Sequence, residues 1–213
     1  MESRLNRFAP FVALTIVFVM LAGCGVNAIP TKQERARAAW ADVQSQYQRR
    51  SNLIPNLVAT VQGYANHERD VLVQVTEARA SATQIHVDAS TANNPAALQQ
   101  YEAAQNQLSG ALGRLIAISE NYPQLRASDN FMALQSQLEG TENRIAVARR
   151  DYNDAVRDYN TELRTFPGVM WKGVFYHDAQ PMAPFAAEAS AQTAPTVNFP
   201  RETTTTQPAP APH

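Results

Sequence analysis

FMALQSQLEGTENRIAVARRDYNDAVRDYNTELRTF, residues 131–166, is the stretch on which the fold reading turns. A stripe runs through Phe131, Leu134, Leu138, Thr141, Ile145, Ala148, Tyr152, Ala155 and Tyr159 in alternating steps of three and four. Such steps keep side chains on one face of an α-helix, in the manner of a heptad seam. After Tyr159 the stripe shifts to Leu163 and Phe166. Inside it Tyr152-Asn153 returns seven residues later as Tyr159-Asn160, so a tyrosine comes back to the same face with an asparagine beside it. A helix this long with one apolar face has to bury it against other helices.

A second stripe comprises Ala97, Tyr101, Ala104, Leu108, Ala111, Leu115, Ile118 and Tyr122. It starts after Pro95, a favoured first-turn residue, and stops before Pro123. A third spans about Pro55 to Ile85 through Leu57, Val61, Tyr64, Glu68, Val71, Val75, Ala78 and Ala82. Ahead of it, Ala36, Trp40, Val43 and Tyr47 mark a first helix. Proline lacks a backbone donor and crowds the preceding turn, so a break is predicted near Leu53–Ile54. The alternative is one long kinked helix in a three-helix bundle. With the break, the pattern predicts an all-α protein: an antiparallel up-and-down four-helix bundle of long helices.

Around this body, residues 1–23 read as a signal peptide, 24–30 as a tether, 31–185 as the bundle and 186–213 as a tail. The tail is rich in Ala, Thr and Pro and has too few apolar side chains to offset the entropy of ordering, so it is predicted to be disordered. Arg4 and Arg7 precede an apolar run, Phe8 to Leu21. As a helix that run reaches roughly 21 Å, short of the roughly 30 Å bilayer core. That is the length of a signal segment, with a short transmembrane anchor as the rival. Leu21-Ala22-Gly23-Cys24 then resembles the lipobox of bacterial lipoproteins, and Cys24 is the only cysteine. The resemblance implies cleavage before Cys24 and lipidation of its sulfur. Gly25, where enteric lipoproteins retained in the inner membrane carry Asp, favours the outer membrane.

The formal net charge of −1 offers no bulk field to recruit nucleic acid. A single cysteine excludes an internal disulfide. Lys32 and Lys172 are the only lysines among 18 basic residues, and arginine suits paired, bidentate contacts.

The chain resembles the LemA family over about Pro30 to Phe185. The matching stretches include Ala39-Trp40 through Arg50, Asn52-Leu-Ile-Pro55-Asn-Leu-Val58, Gly63-Tyr-Ala-Asn-His67-Glu68 and Glu120-Asn-Tyr-Pro-Gln-Leu125. They continue with Leu138 through Ile145, Ala148-Arg-Arg-Asp-Tyr-Asn153, Tyr159-Asn160 and Phe166-Pro167. The resemblance implies a helical bundle facing the periplasm or cell exterior, in a family whose biochemical activity is largely undefined. Many members carry a transmembrane helix where this chain has the lipobox.

Glu68 falls inside an apolar stripe, where a carboxylate needs a partner. Arg114 and Arg144, with Thr141 on the last seam, are the expected members of a buried polar network. A proton-transfer carboxylate is the other reading. Arg49, Arg50 and Asn52 are expected at the turn between the first two helices, with Tyr122, Pro123 and Arg126 at the same end. They either cap helix-end carbonyls or bind an anionic partner. Trp171, Phe175, Tyr176 and Phe185 either close the end of the core nearest the anchor or dip into headgroups.

His67-Glu68 lacks the second histidine of a zincin, because Val71 stands there, and no histidine lies three residues after a glutamate as di-iron bundles need. Nucleophile-elbow, phosphate-loop and dinucleotide motifs are absent from the sequence. The expectation is therefore a non-enzymatic lipoprotein of the cell envelope: no catalytic residue, no cofactor, no metal, held to the membrane through lipidated Cys24. It would face the periplasm and meet an unknown envelope protein, not nucleic acid. A hydrolase or metal enzyme with a site between the helices, and a structural spacer, are the alternatives.

Overall fold

A computed structural model describes residues 25–85 and 93–186. Among these residues every regular element is helical: α1 (Ala28–Tyr64), α2 (Arg69–Gln84), α3 (Pro95–Ser119), α4 (Pro123–Arg126), α5 (Asp129–Glu162) and α6 (Gly168–Phe175). The predicted leader, Cys24 and the predicted tail beyond Ala186 lie outside the described residues. No described helix is long and apolar enough to cross a membrane.

The four longer helices alternate in direction, as the stripes predict. Ion pairs Lys32–Glu162, Arg35–Asp158 and Arg50–Glu142 climb α1 while descending α5, so these two run antiparallel. Gln105 reaches the carbonyl of Ala82 while Tyr122 reaches Glu68, so α3 runs against α2. α1 has 37 residues and α5 has 34, about 55 and 51 Å of helix. α2 has 16 residues, about 24 Å, and covers less than half of that length. Asn94 starts α3 by accepting from the amides of Ala96 and Ala97 at 3.0 and 3.3 Å, with Pro95 at the first turn.

The predicted break at Pro55 does not occur. Pro55 sits inside α1 on its exposed side. Its missing N–H strips the Ser51 carbonyl of its helical donor. Arg79 of α2 supplies one instead, its Nε donating to Ser51 O at 3.0 Å. The reversal comes at Ala65–Glu68, just beyond Gly63, where Glu68 N bonds Ala65 O at 3.1 Å. The segment predicted as one helix over 55–85 is therefore divided. Residues 55–64 finish α1, and the chain then turns back as α2.

The core has two apolar halves. One gathers Ile54, Leu57 and Val61 of α1, Leu72 and Val75 of α2, Leu108, Leu112 and Leu115 of α3, and Phe131 and Leu138 of α5. The other gathers Trp40, Val43 and Tyr47 of α1, Leu98 and Tyr101 of α3, and Ile145, Tyr152 and Tyr159 of α5. α2 does not extend over this second half. Ala179, Met182 and Phe185, from an extended segment after α6, fill the place instead. The chain reaches that segment through a tight turn at the end of α5. There a Cβ on Gly168 would come within 2.1 Å of Glu162 O, so only glycine fits.

Candidate functional site

Between the two apolar halves lies a polar layer built around Arg50. The same alternating steps that place Tyr47 and Ile54 inward carry Arg50 inward too, and its side chain is 1% exposed. One terminal nitrogen donates to Ser109 Oγ at 2.6 Å and Glu142 Oε1 at 2.8 Å. The other donates to the Gln105 carbonyl at 3.2 Å and to Gln105 Oε1 at 2.5 Å. The guanidinium lies 5.0 Å from the Tyr47 ring centroid, a cation–π contact. Gln105 Nε2 passes the connection to Ala82 O of α2 at 3.4 Å. One side chain of α1 thus bonds α3 and α5 directly and α2 through Gln105. A planar fork with five donors suits this task, and an ammonium does not. A second pair, Arg149 with Glu102, ties α5 to α3.

The tyrosine–asparagine repeat has a definite use. Asn160 Nδ2 donates to Met182 O at 2.8 Å while its Oδ1 accepts from Met182 N at 3.0 Å. Asn153 does the same with Phe185, at 3.2 and 2.8 Å. Tyr152 OH donates to Ala183 O at 2.8 Å. Seven helical residues advance about 10.5 Å, and three residues of polyproline II advance about 9.3 Å. The spacing of the repeat therefore matches a segment that turns every three residues, and Ala179, Met182 and Phe185 all face the core. Pro181 and Pro184 favour that conformation. The ring of Phe185 stacks on Trp40 at 5.7 Å, and the Arg149 guanidinium covers it at 4.7 Å. The arrangement is a groove that holds an extended chain by its backbone, filled by the protein's own residues 179–186.

The predicted site residues distribute differently from expectation. Arg50 is buried in the polar layer and offers no docking surface. Arg49 and Asn52 are exposed, in mid-helix and not at a turn. They lie about 20 Å along the helix from the end where Tyr122 and Arg126 sit, because α1 continues through Pro55. The predicted buried network of Glu68, Arg114, Thr141 and Arg144 does not assemble. Arg114 and Arg144 are exposed. Thr141 is fully buried and bonds Gln137 O in its own helix at 2.7 Å. Glu68 stands at the α1–α2 turn and accepts from Tyr122 OH at 2.9 Å. The apolar stripe that contains Glu68 ends at that turn, which puts Glu68 at the rim and not in the core. Trp171 packs against the core while Phe175 is exposed.

Burial raises the phenols of Tyr47, Tyr101 and Tyr152. The Tyr122 phenol is raised mainly by its hydrogen bond to Glu68. These groups stay neutral at ordinary pH; Tyr152 and Tyr122 donate hydrogen bonds, and Tyr47 and Tyr101 meet edge to face as ring surfaces. Among the described residues no three His, Cys, Asp or Glu side chains group to hold a metal ion. In chemical terms the polar layer and the asparagine clamps are fastenings: they fix helix register and hold a strap.

Fold and site define a class of protein, an antiparallel helical bundle closed by its own extended strap. The chain belongs to the LemA family, whose profile it matches over residues 39–199. It is 26% identical over 175 residues to the magnetosome protein MamQ 1 of Paramagnetospirillum magneticum, covering 73% of this chain and 63% of that protein. The magnetosome protein MamQ of Magnetospirillum gryphiswaldense is 24% identical over 168 residues, 71% and 62% of the two chains. Protein LemA of Metamycoplasma hominis is 26% identical over 160 residues, 75% and 69%. The match thus spans less than two thirds of the length of the MamQ relatives.

Proposed function

We propose that this protein is a lipid-anchored, non-enzymatic interaction protein of the bacterial cell envelope, moored through Cys24 and facing the periplasm, with the outer membrane favoured. The lone cysteine directly after an apolar run too short to span a bilayer supports the mooring. The observation that carries the interaction role is an open groove of about 360 Å³ between α1 and α5. Ala39, Val147 and Ala148 give it an apolar floor, and Asp42, Arg144 and Asp151 give it a charged rim. Arg49 lies one turn beyond Gln46 on the same side of α1, which keeps it in the docking surface. An apolar floor with a mixed-charge rim suits an amphipathic protein segment.

Photo-crosslinking residues placed at Val147, Arg49 and, as a control, exposed Gln99 test this in the native envelope. Discrete protein adducts at Val147 and Arg49, lost on Arg144→Glu, are expected. Adduct patterns indistinguishable from those at Gln99 would remove the groove as a docking site. Mass analysis of the N-terminal peptide tests the anchor, with an acylated cysteine as the first residue expected. An intact leader with a free thiol would refute it.

A further inference from the structure

Five large apolar side chains stand open at one end of the bundle. They are Phe166, Val169, Met170, Val174 and Phe175, between 47% and 79% exposed. Within α6, Val169, Met170, Gly173 and Val174 follow i, i+1, i+4, i+5 spacing and share one face of the helix. The other side of α6 is fixed. Gly168 is buried against Glu162, and Trp171 packs on the core. Among the described residues, none covers the apolar face that this helix shows. Contiguous open apolar surface of this kind marks a contact with something outside the molecule.

The position of the patch identifies what it meets. A Cβ on Gly25 would lie 3.1 Å from Pro167 Cγ and 3.2 Å from Trp171 Nε1, so the chain enters the body directly beneath α6. Residue 24 is one peptide unit away, about 3.8 Å between Cα atoms. A lipid on Cys24 would hold this end of the bundle, and no other, at a membrane surface. The flanking cations fit an anionic headgroup layer, with Arg164 exposed and Lys172 partly so. Trp171 and Phe175, with ring centroids 6.0 Å apart, are residue types that sit well at that depth.

We propose that the open face of α6, together with Phe166, lies in the headgroup region of a phospholipid bilayer and sets the orientation of the bundle on it. The proposal rests on the Cys24 anchor for the choice of surface. Its consequence is that the Glu68–Tyr122 end, about 55 Å further along α1, is the end turned away from the membrane.

The test uses the full chain, isolated from membranes and reconstituted in phosphatidylethanolamine–phosphatidylglycerol vesicles. A fluorophore is attached at Met170→Cys, at Val174→Cys and, as a control at the far end, at Met132→Cys. Nitroxide-labelled lipid should quench the two α6 positions several-fold more than position 132, and aqueous iodide should quench them several-fold less. Equal quenching at all three positions overturns the proposal. Shielding of the α6 positions from both quenchers overturns it too, because protein then covers the face. Dye uptake by the unsubstituted chain would sink the anchor alone. The depth contrast is then read in a Cys24→Ser background, so the two readings fail separately.

Discussion

At the scale of single residues, Arg50 and the two clamp asparagines hold most of the specificity. Arg50 satisfies acceptors on two other helices, and Gln105 among them is itself buried. Arg50→Ala should destabilise the bundle by about 3 kcal/mol, since it strips buried acceptors of their donor. Arg50→Lys should recover only part of this, because an ammonium cannot fork to several partners. Urea denaturation of the three proteins measures both effects. Asn153→Asp and Asn160→Asp each replace a donor to a strap carbonyl with a carboxylate oxygen. A loss of about 1–3 kcal/mol is expected for each. Limited proteolysis should show new cleavage within residues 177–186, while the helices stay resistant. The heptad spacing of the asparagines was visible in the sequence. Their partner was not, because nothing local announces that a segment more than twenty residues away will lie along the helix in extended form.

At the scale of elements, the continuity of α1 through Pro55 is the instructive case. The stripe Ala36, Trp40, Val43, Tyr47, Arg50, Ile54, Leu57, Val61 keeps its alternation of four and three without a slip across the proline. That phase continuity was the readable signal of one helix. The missing backbone donor of Pro55 pointed instead to a break. The helix survives because Arg79 replaces the lost donor on Ser51 O. A double-mutant cycle checks the compensation. Arg79→Met should cost about 1–3 kcal/mol in the native chain. It should cost much less in a Pro55→Ala background, where the amide of residue 55 can bond Ser51 O itself. Additive effects, measured by thermal or chemical unfolding, would contradict this account.

At the scale of the whole molecule, the second core half is a cluster of aromatic rings whose phenols are neutral in the folded state. Tyr47, Tyr101 and Tyr152 all have pKa values raised above the ordinary 10.0 by burial. The unfolded chain then loses its phenolic protons at lower pH than the folded chain does. Stability from these groups is fully present below about pH 10 and declines as pH rises beyond it. Urea midpoints should hold steady on the way up to that value and fall above it. Tyr152→Phe should soften the fall, at the expense of the bond to Ala183 O. A midpoint that stays flat well above pH 10 would refute this picture.

What the chain determined by itself is what local physics can carry: helices from three–four periodicity, starts and stops at Pro95 and Pro123, and the alternation of direction from short connections between amphipathic faces. Those depend on neighbours within a few turns. Tertiary structure alone decided which polar groups are buried, because that depends on donors supplied from distant elements. Arg50 enters the core because Gln105, Ser109 and Glu142 meet it there. Pro55 is tolerated because Arg79 lies across from it. The open half of the bundle is closed by residues 179–186 because two asparagines a heptad apart match the advance of an extended chain.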